Sequence, residues 1–437
     1  MSTNHDRRTF LKGAAAAVAT ARLPILGASD RIRAGIVGMG GRGRAHVKFL
    51  AELKDQCMIR AVCDVNQAAR ERAVAQVEKL TGRRPKEFRD MREMFDGADV
   101  DAVFIATPNH WHALATIWAC QAGKDVYVEK PACHNIWEGR QMVKAAREYR
   151  RIVQVGSQCR SMEHRQEAME LLRQGEIGPI YMARGFCFKL RKSIGHTPDE
   201  PPPPGLDWDL FLGPAQWKPY SKNKFAYNWH WFWDTGNGDI GNQGVHEIDV
   251  CLWGLGRGGW PERVLASGGK FIWQDDQETP NTQQAVYDFG KAQITFDVRN
   301  LPTCPAPEIP VQGRNYIGNI FLGADGHLVT DWSGYRLYKG DPPKVVKERK
   351  AEGDIWAPTA HILNFFQAVR ARDPKLLNAD VAVGVRAAAF AHLANIAYRV
   401  KRTLRVARST GRFVNDDEAN ALLTRNYRPP YVVLEEV

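Results

Sequence analysis

The sequence predicts an α/β protein in two parts. A parallel sheet covered on both faces comes first, and an α+β part with a large, mostly antiparallel open sheet follows. Three observations predict it. From Arg31 to Val155, short apolar runs alternate with segments of helical spacing, the pattern of a parallel sheet buried on both sides. Beyond Gly156 several segments change to period two, as strands with one covered face do. The 437 residues suffice for two cores of ordinary size.

The elements follow in order. Arg31 to Val37 runs into the apolar pair Ile36-Val37 and stops at glycine, so it reads as a buried strand. Arg44 to Leu53 has helical spacing, Met58 to Cys63 is a second strand, and Ala68 to Leu80 a second helix. Ala102 to Ala106 is a continuous apolar strand ending at Thr107-Pro108. Trp111 to Gln121 is helical and stops before Gly123, and the strand Asp125 to Val128 ends at Glu129-Lys130-Pro131. A helix then runs through Arg147, before the strand Ile152 to Val155. In the second part Val264 to Phe271, Gln284 to Phe289, Gln293 to Val298 and Asn319 to Leu322 read as strands. Thr359 to Arg370 and Val381 to Tyr398 read as helices. The domains expected are 31–155 and 156–437, after a separate segment, 1–30.

The first loop carries the chemistry. Gly38-Met39-Gly40-Gly41-Arg42-Gly43 follows a strand and opens a helix. The first glycine allows the tight turn, the second lets backbone approach a pyrophosphate, and the third lets helix pack on strand. The helix N-terminus adds N–H donors and partial positive charge. Asp64, 21 residues past Gly43 at a strand end, can accept from adenosine ribose hydroxyls and would repel a 2′-phosphate. The cofactor expected is NAD rather than NADP.

The bulk properties bound the alternatives. Hydrophobic residues make up 44% and charged residues 25%, as in soluble globular chains. The formal charge is +11, but the basic residues are interleaved with acidic ones, so no nucleic-acid partner is expected. No stretch reads as the ~20 apolar residues that span a bilayer, so no membrane partner is expected. The eight cysteines form no C-x-x-C pair and no zinc-binding spacing, so no metal is expected. His110 and His112 are two apart and do not share a helix face, which argues against a metal pair and gives His112 a local structural role.

Asp6-Arg7-Arg8-Thr9-Phe10-Leu11-Lys12, followed by the small-residue run Gly13 to Ala21, resembles a twin-arginine export signal. Cleavage would follow Ala19-Thr20-Ala21 or Leu26-Gly27-Ala28. Such export carries folded proteins with cofactor bound, so a periplasmic location is expected, and a chain folded in the cytoplasm needs no disulfides.

Thr107-Pro108-Asn109-x-x-His112 and Ala122-Gly123-Lys124-x-Val126-x-Val128-Glu129-Lys130-Pro131 together resemble the Gfo/Idh/MocA family of sugar and inositol oxidoreductases. The resemblance implies a Rossmann domain, then an α/β domain with an open sheet, and a site between them. It lines the cofactor with Thr107, Pro108, Asn109, His112, Glu129 and Lys130 beside the glycine loop, and makes Pro131 a cis-proline. Lys130 would hold a carbinol hydroxyl and relay its proton, since a lysine near a cationic nicotinamide has a lowered pKa. Gly236 to Asp249 resembles the family's D-x-x-x-H-x-x-D helix start, which makes His246 the general acid/base. Asn242, four residues before it and on the same helix face, stands where the family has aspartate, so the lysine–aspartate–histidine triad is not intact. Asp239 is a distant substitute.

Substrate would be bound by Arg160, in the Gly156-Ser157-Gln158-Cys159-Arg160 loop, by Asn242 and His246, and by the aromatic run's Tyr227, His230 and Trp231, whose flat faces suit sugar C–H groups. An interdomain salt bridge is the alternative for Arg160. The function expected is an exported NAD-dependent oxidoreductase acting on a ring hydroxyl of a sugar or glycoside. A glycosidase that recycles tightly bound NAD without net redox change is the first alternative, and a non-catalytic sugar-binding protein the second. A homo-oligomer is expected, because an open sheet is a ready surface for a second copy.

Overall fold

The computed structural model describes residues 31–301, 315–353 and 358–437. The twin-arginine segment with its cleavage positions, and Cys304, lie outside the described residues. The seven other cysteines are buried and unpaired.

The first half builds β1 (Ile32–Val37), α1 (Gly41–Glu52), β2 (Cys57–Cys63), α2 (Gln67–Thr81), β3 (Lys86–Phe88), α3 (Met91–Gly97), β4 (Ala102–Ile105), α4 (Asn109–Gln121), β5 (Asp125–Val128), α5 (Ile136–Glu148) and β6 (Val153–Val155). The strands form one parallel sheet, ordered β3-β2-β1-β4-β5-β6. The order reverses between β1 and β4, and the carboxyl ends of strands at such a switch point are where open α/β sheets bind ligands. Local signals set the helix ends. The Asn66 side chain accepts from the Ala69 N–H at the start of α2, and Gly82 closes that helix in the left-handed conformation. Asn135 caps α5 through the Glu138 N–H. Sequence periodicity misses β3 and α3. β3 is a three-residue edge strand, Lys-Glu-Phe, largely exposed, and α3 is too short to show a helical period.

The second half builds α6 (Glu163–Arg173), β7 (Ile180–Lys189), α7 (Trp208–Leu212), α8 (Gly238–Asn242), α9 (Gly244–Leu255), β8 (Arg263–Gly269), β9 (Thr282–Asp288), β10 (Gln293–Arg299), β11 (Asn315–Gly323), β12 (His327–Asp331), β13 (Gly334–Lys339), β14 (Lys344–Lys350), α10 (Pro358–Ala371), α11 (Val381–Val400), β15 (Leu404–Arg405) and α12 (Asp417–Ala421). Nine strands make one sheet, ordered β14-β13-β12-β11-β7-β10-β9-β8-β15. All neighbours are antiparallel except β7 and β10. α9 and α11 pack on one face, and the largest core lies between them and the strands.

The parallel sheet does not complete its core from residues 31–155 alone. On one face Ile362, Phe365 and Phe366 of α10 close over Phe104 and Tyr127, whose rings stack at 5.1 Å. On the other face Val381, Ala388, Tyr431 and Val433 complete the cluster under α4 and α5. α11 contacts α5, β6, α9 and β8, and so bridges the two sheets. It comes close enough to a bilayer span in length and hydropathy to correct the expectation that no stretch does, yet most of its residues are buried as a core helix. Its near-continuous small residues let it approach closely. A Cβ on Gly384 would lie 2.4 Å from a methyl of Val155, and one on Gly139 of α5 would lie 2.6 Å from Val385.

That contact is testable. In a free helix Gly384→Ala would stabilise by about 1 kcal/mol through propensity. Here the added methyl overpacks the α11–β6 contact at a cost of about 1–3 kcal/mol. The urea midpoint is expected to fall with an unchanged m-value; a raised midpoint would show that α11 does not press on β6.

Candidate active site

The glycine loop has the geometry that its sequence requires. Gly38 has φ +86°, and a Cβ there would lie 2.7 Å from the Ala106 backbone at the end of β4. A Cβ on Gly43 would fall within bonding distance of the Gly38 carbonyl oxygen. Gly40 and Gly41 face open space, which leaves the first turn of α1 accessible to a phosphate. At the end of β2, Asp64 accepts from the Met39 N–H at 2.6 Å and the Asn66 N–H at 2.8 Å. Burial raises its pKa against the pull of those two donors. The carboxylate therefore braces the turn as well as facing the place of the ribose. Arg70 comes near, but its Nη1 is taken up by the Asp64 carbonyl oxygen at 2.7 Å. At the end of β4 the buried Thr107 Oγ1 has no hydrogen-bond partner among the described residues. An open cradle, a carboxylate at the second strand end and an unpartnered hydroxyl fit a bound dinucleotide.

Just past β5, two adjacent charged residues turn to opposite sides. Glu129 points at α1, where His46 Nε2 lies 3.0 Å and Arg42 Nε 3.4 Å from its Oε1. Gly156 makes room, since a Cβ there would lie 2.9 Å from Glu129 Oε2. Burial alone would raise the Glu129 pKa, but Arg42, His46 and Lys130 together hold it well below the usual carboxylate range. Lys130, joined to Pro131 by a cis peptide bond, points at the second half. Its Nζ donates to the Asn242 carbonyl oxygen at 2.7 Å and lies 3.3 Å from Asn242 Oδ1. Burial pushes its pKa down to about 8, against the nearby Glu129 charge.

α8 and α9 bring the other groups. They are separate helices that meet at Gln243, so Asn242 and His246 do not share one continuous helix face as their spacing suggests. Asn242 Nδ2 donates to the Tyr227 hydroxyl at 3.1 Å and to Asp239 Oδ1 at 3.2 Å. Asp239 is buried and held by Arg191 at 2.9 and 3.1 Å and by Asn300 at 2.5 Å. Burial works against its charge, yet Arg191 carries its pKa below the ordinary value. The site's carboxylate thus stands one side chain behind Asn242. His246 is buried, with Nδ1 4.0 Å from Cys159 Sγ and its ring edge-on to Trp332. Burial and then the Lys130 charge push its pKa well below the ordinary value.

The structure sorts the remaining candidates. Tyr227 is half-exposed above Asn242. His230 stacks on Trp229 with ring centroids 3.6 Å apart and donates from Nδ1 to the Tyr227 carbonyl oxygen at 2.6 Å, which leaves Nε2 as an acceptor. Its pKa is pushed down to about 3, chiefly by burial. Trp231 is only 3% exposed and cannot offer a face to a sugar, so that assignment is corrected; His230 lies beside Tyr227, and Trp229 stacks behind His230. Arg160 is likewise corrected. Its Nε and Nη2 are bound bidentately to Asp249 at 2.7 and 2.8 Å, a salt bridge within the second domain rather than the interdomain one that was the alternative. His112 puts Nδ1 on the Pro131 carbonyl at 2.7 Å and Nε2 on the Thr107 carbonyl at 2.9 Å, so it ties two strand ends together, the local structural role expected of it. Asn109 is buried and joined to Asn237 at 3.2 Å, and Pro108 caps α4. Arg191, Asn300 and His46 were not legible as site residues. Only His46 left a signal, its i,i+4 spacing from Arg42 on the inner face of α1.

Comparison with known proteins agrees with this layout. The model of the Gfo/Idh/MocA oxidoreductase family's NAD-binding Rossmann fold matches residues 32–157. That of its C-terminal α/β domain matches residues 179–269 and 322–433. A glycosyl hydrolase family 109 protein of Shewanella baltica is 31% identical over 231 residues, 44% of this chain and 49% of that protein. An alpha-N-acetylgalactosaminidase of Shewanella oneidensis is 31% identical over 179 residues, 38% of each chain. The chain thus spans less than half the length of these curated relatives. Among solved structures, the WlbA dehydrogenase of Bordetella pertussis with NADH and UDP-GlcNAcA superposes with a TM-score of 0.63 at 22% identity, over 86% of this chain and 99% of that one. Levoglucosan dehydrogenase with NADH and levoglucosan superposes at 0.65 and 18%, over 86% and 99%. These two likenesses concern the fold.

Two substitutions should move the Lys130 titration in opposite directions. Glu129→Gln removes the anion that raises its pKa, so the acid limb of the pH–kcat/KM profile is expected below 8. Asn242→Asp puts a carboxylate against Nζ, and the limb is expected above 8. Profiles that do not move would show that another group titrates.

Proposed function

The chain belongs to the Gfo/Idh/MocA oxidoreductase family, and on that footing we propose that it is an exported glycosidase that oxidises a sugar ring carbinol transiently, with NAD held in place. When bound, NAD would supply a reversible hydride acceptor for the carbinol. Gly38 to Gly43, Asp64 and Thr107 would hold it, with Arg42 beside the first turn of α1.

The observation that carries the reading is the setting of Lys130. A side-chain amine bonded to a carbonyl oxygen and an amide, rather than to a carboxylate, loses its proton near pH 8 and can accept one from a carbinol hydroxyl. Net dehydrogenation of a carbinol moves only that one proton. Redox-neutral cleavage moves more. Oxidation makes the neighbouring C–H acidic; a base removes that proton, and the glycosidic C–O bond breaks as the leaving oxygen is protonated. Water would then add to the double bond, and the carbinol would be restored by reversal of the first oxidation. Tyr227 and His246 stand in the same place as Lys130. The Tyr227 hydroxyl accepts from Asn242, so its own proton is free for a substrate oxygen. His246, neutral by burial, suits hydrogen bonding to the ring better than storing charge. The family 109 names of relatives support the same choice. Tyr227, Trp229 and His230 would meet the sugar.

Export is part of the proposal. It rests on Arg7-Arg8 and the run after them, and a resident, recycled cofactor suits a compartment poor in free NAD. Arg7→Lys/Arg8→Lys is expected to keep the protein in the cytoplasm; unchanged fractionation would remove this part.

For the chemistry, purified protein is incubated with nitrophenyl glycosides without added NAD, and its ligand content is read by mass spectrometry. Nitrophenol release with about one NAD per chain is expected, abolished by Lys130→Ala and reduced at least 100-fold by His246→Ala. Reduction of added NAD by a sugar without glycoside cleavage would make the protein a net dehydrogenase. No turnover with any glycoside or sugar would leave a binding protein.

A further inference from the structure

A cleft of about 300 Å³ opens at the far end of α9, lined by Arg160, Asp249, Trp253, Arg257, Val383 and Arg386 among others. Its inner end is the Arg160–Asp249 pair, about one turn along α9 from His246, and its outer end is at Gly256. His246 lies in the first turn of α9, and Gly256, which caps that helix and lines the cleft, follows ten residues later, about 15 Å along the axis.

The charge of this cleft is unbalanced. Three arginines meet one carboxylate, and that carboxylate, Asp249, is already bound bidentately by Arg160. Arg386 sends its hydrogen bonds to the carbonyl oxygens of Arg257 at 2.5 Å and Gly259 at 3.1 Å, not to an anion. Burial and then the neighbouring Arg160 charge disfavour its cation, and the Asp249 charge offsets this only in part. A half-buried guanidinium beside another cation is costly unless an anion joins it. The end of α9 contributes only partial negative charge, on carbonyls of which those of Leu252 and Trp253 already accept the Gly256 N–H. Trp253, with Arg160 stacked 4.9 Å from its ring centroid, adds an aromatic wall. The space exceeds what a bare oxyanion needs and sits at the lower end of ordinary ligand clefts, roughly 300–1,000 Å³.

We propose that this cleft binds a small organic molecule carrying a phosphate or sulfate group, with Arg257 and Arg386 as its charge partners and Trp253 against its organic part. Guanidinium forks suit tetrahedral oxyanions better than point charges do, and an indole offers area to a compact ring.

Calorimetry on the full chain at constant ionic strength tests this, with glucose 6-phosphate, glucose 6-sulfate, inorganic phosphate and glucose as probes. One site per chain is expected for glucose 6-phosphate or glucose 6-sulfate, and the better of the two identifies the anion. Binding should weaken at least tenfold in both Arg257→Ala and Arg386→Gln and persist in Lys130→Ala. Arg386→Gln removes two loop-capping bonds, so Arg257→Ala, whose recorded bond is made by its backbone carbonyl, remains decisive if the other unfolds. No binding of either sugar ester, or binding that survives Arg257→Ala, overturns the proposal. Equal affinity for inorganic phosphate would reduce the cleft to a bare oxyanion site, and equal affinity for glucose would place the sugar elsewhere. Either result overturns it.

Discussion

Two adjacent charged side chains just past β5 face opposite ways, and the rest of the site is arranged around them. A strand alternates its side chains, so consecutive residues leaving its end serve opposite sides. Glu129 turns to α1 and is satisfied by Arg42 and His46, which fixes the helix that begins at the dinucleotide loop. Lys130 turns to α8 and is satisfied by Asn242. One short strand end thereby joins the cofactor edge to the substrate half, and each charge influences the other. The Glu129 anion keeps the Lys130 pKa from falling further, and the Lys130 cation helps keep Glu129 ionised.

Where the carboxylate stands decides what the lysine can do. With aspartate at position 242, lysine and carboxylate would share an ion pair, and the amine would keep its proton. Here the carboxylate is Asp239, one side chain further back and locked by Arg191 and Asn300. Asn242 passes a hydrogen-bonded connection between them but carries no charge. The result is a lysine that titrates near 8 and a histidine held neutral, the reverse of the roles that ordinary pKa values suggest.

The buried frame of the protein was legible in the chain. Gly38, Gly43 and Asp64 announced the loop, the parallel strands and the helix starting at Gly41, because a tight turn, a close helix approach and a ribose acceptor each demand one residue type at one spacing. The apolar strands β4 and β5 were visible for a similar reason, since both faces are covered. The edges were not. β3 is short and charged, and β13 and β14 alternate only on a lightly covered flank. Arg160 and Trp231 had residue types that suit substrate, but their neighbours are distant in sequence. Asp249 lies 89 residues from Arg160 and claims it, and Trp231 turns into the packed interior.

By itself the sequence determined the two sheet types, the dinucleotide loop and the strand end that carries Lys130. These depend on backbone conformation and on periodic burial, which are local properties. Only the tertiary structure decided that Asn242 meets Lys130, that Asp239 is bound to Arg191, that His246 is buried below its titration range, and that α10 and α11 return to close the first core. Each of these is a contact or a desolvation between residues far apart in the chain. Such terms act through distance in space and leave no period in the sequence.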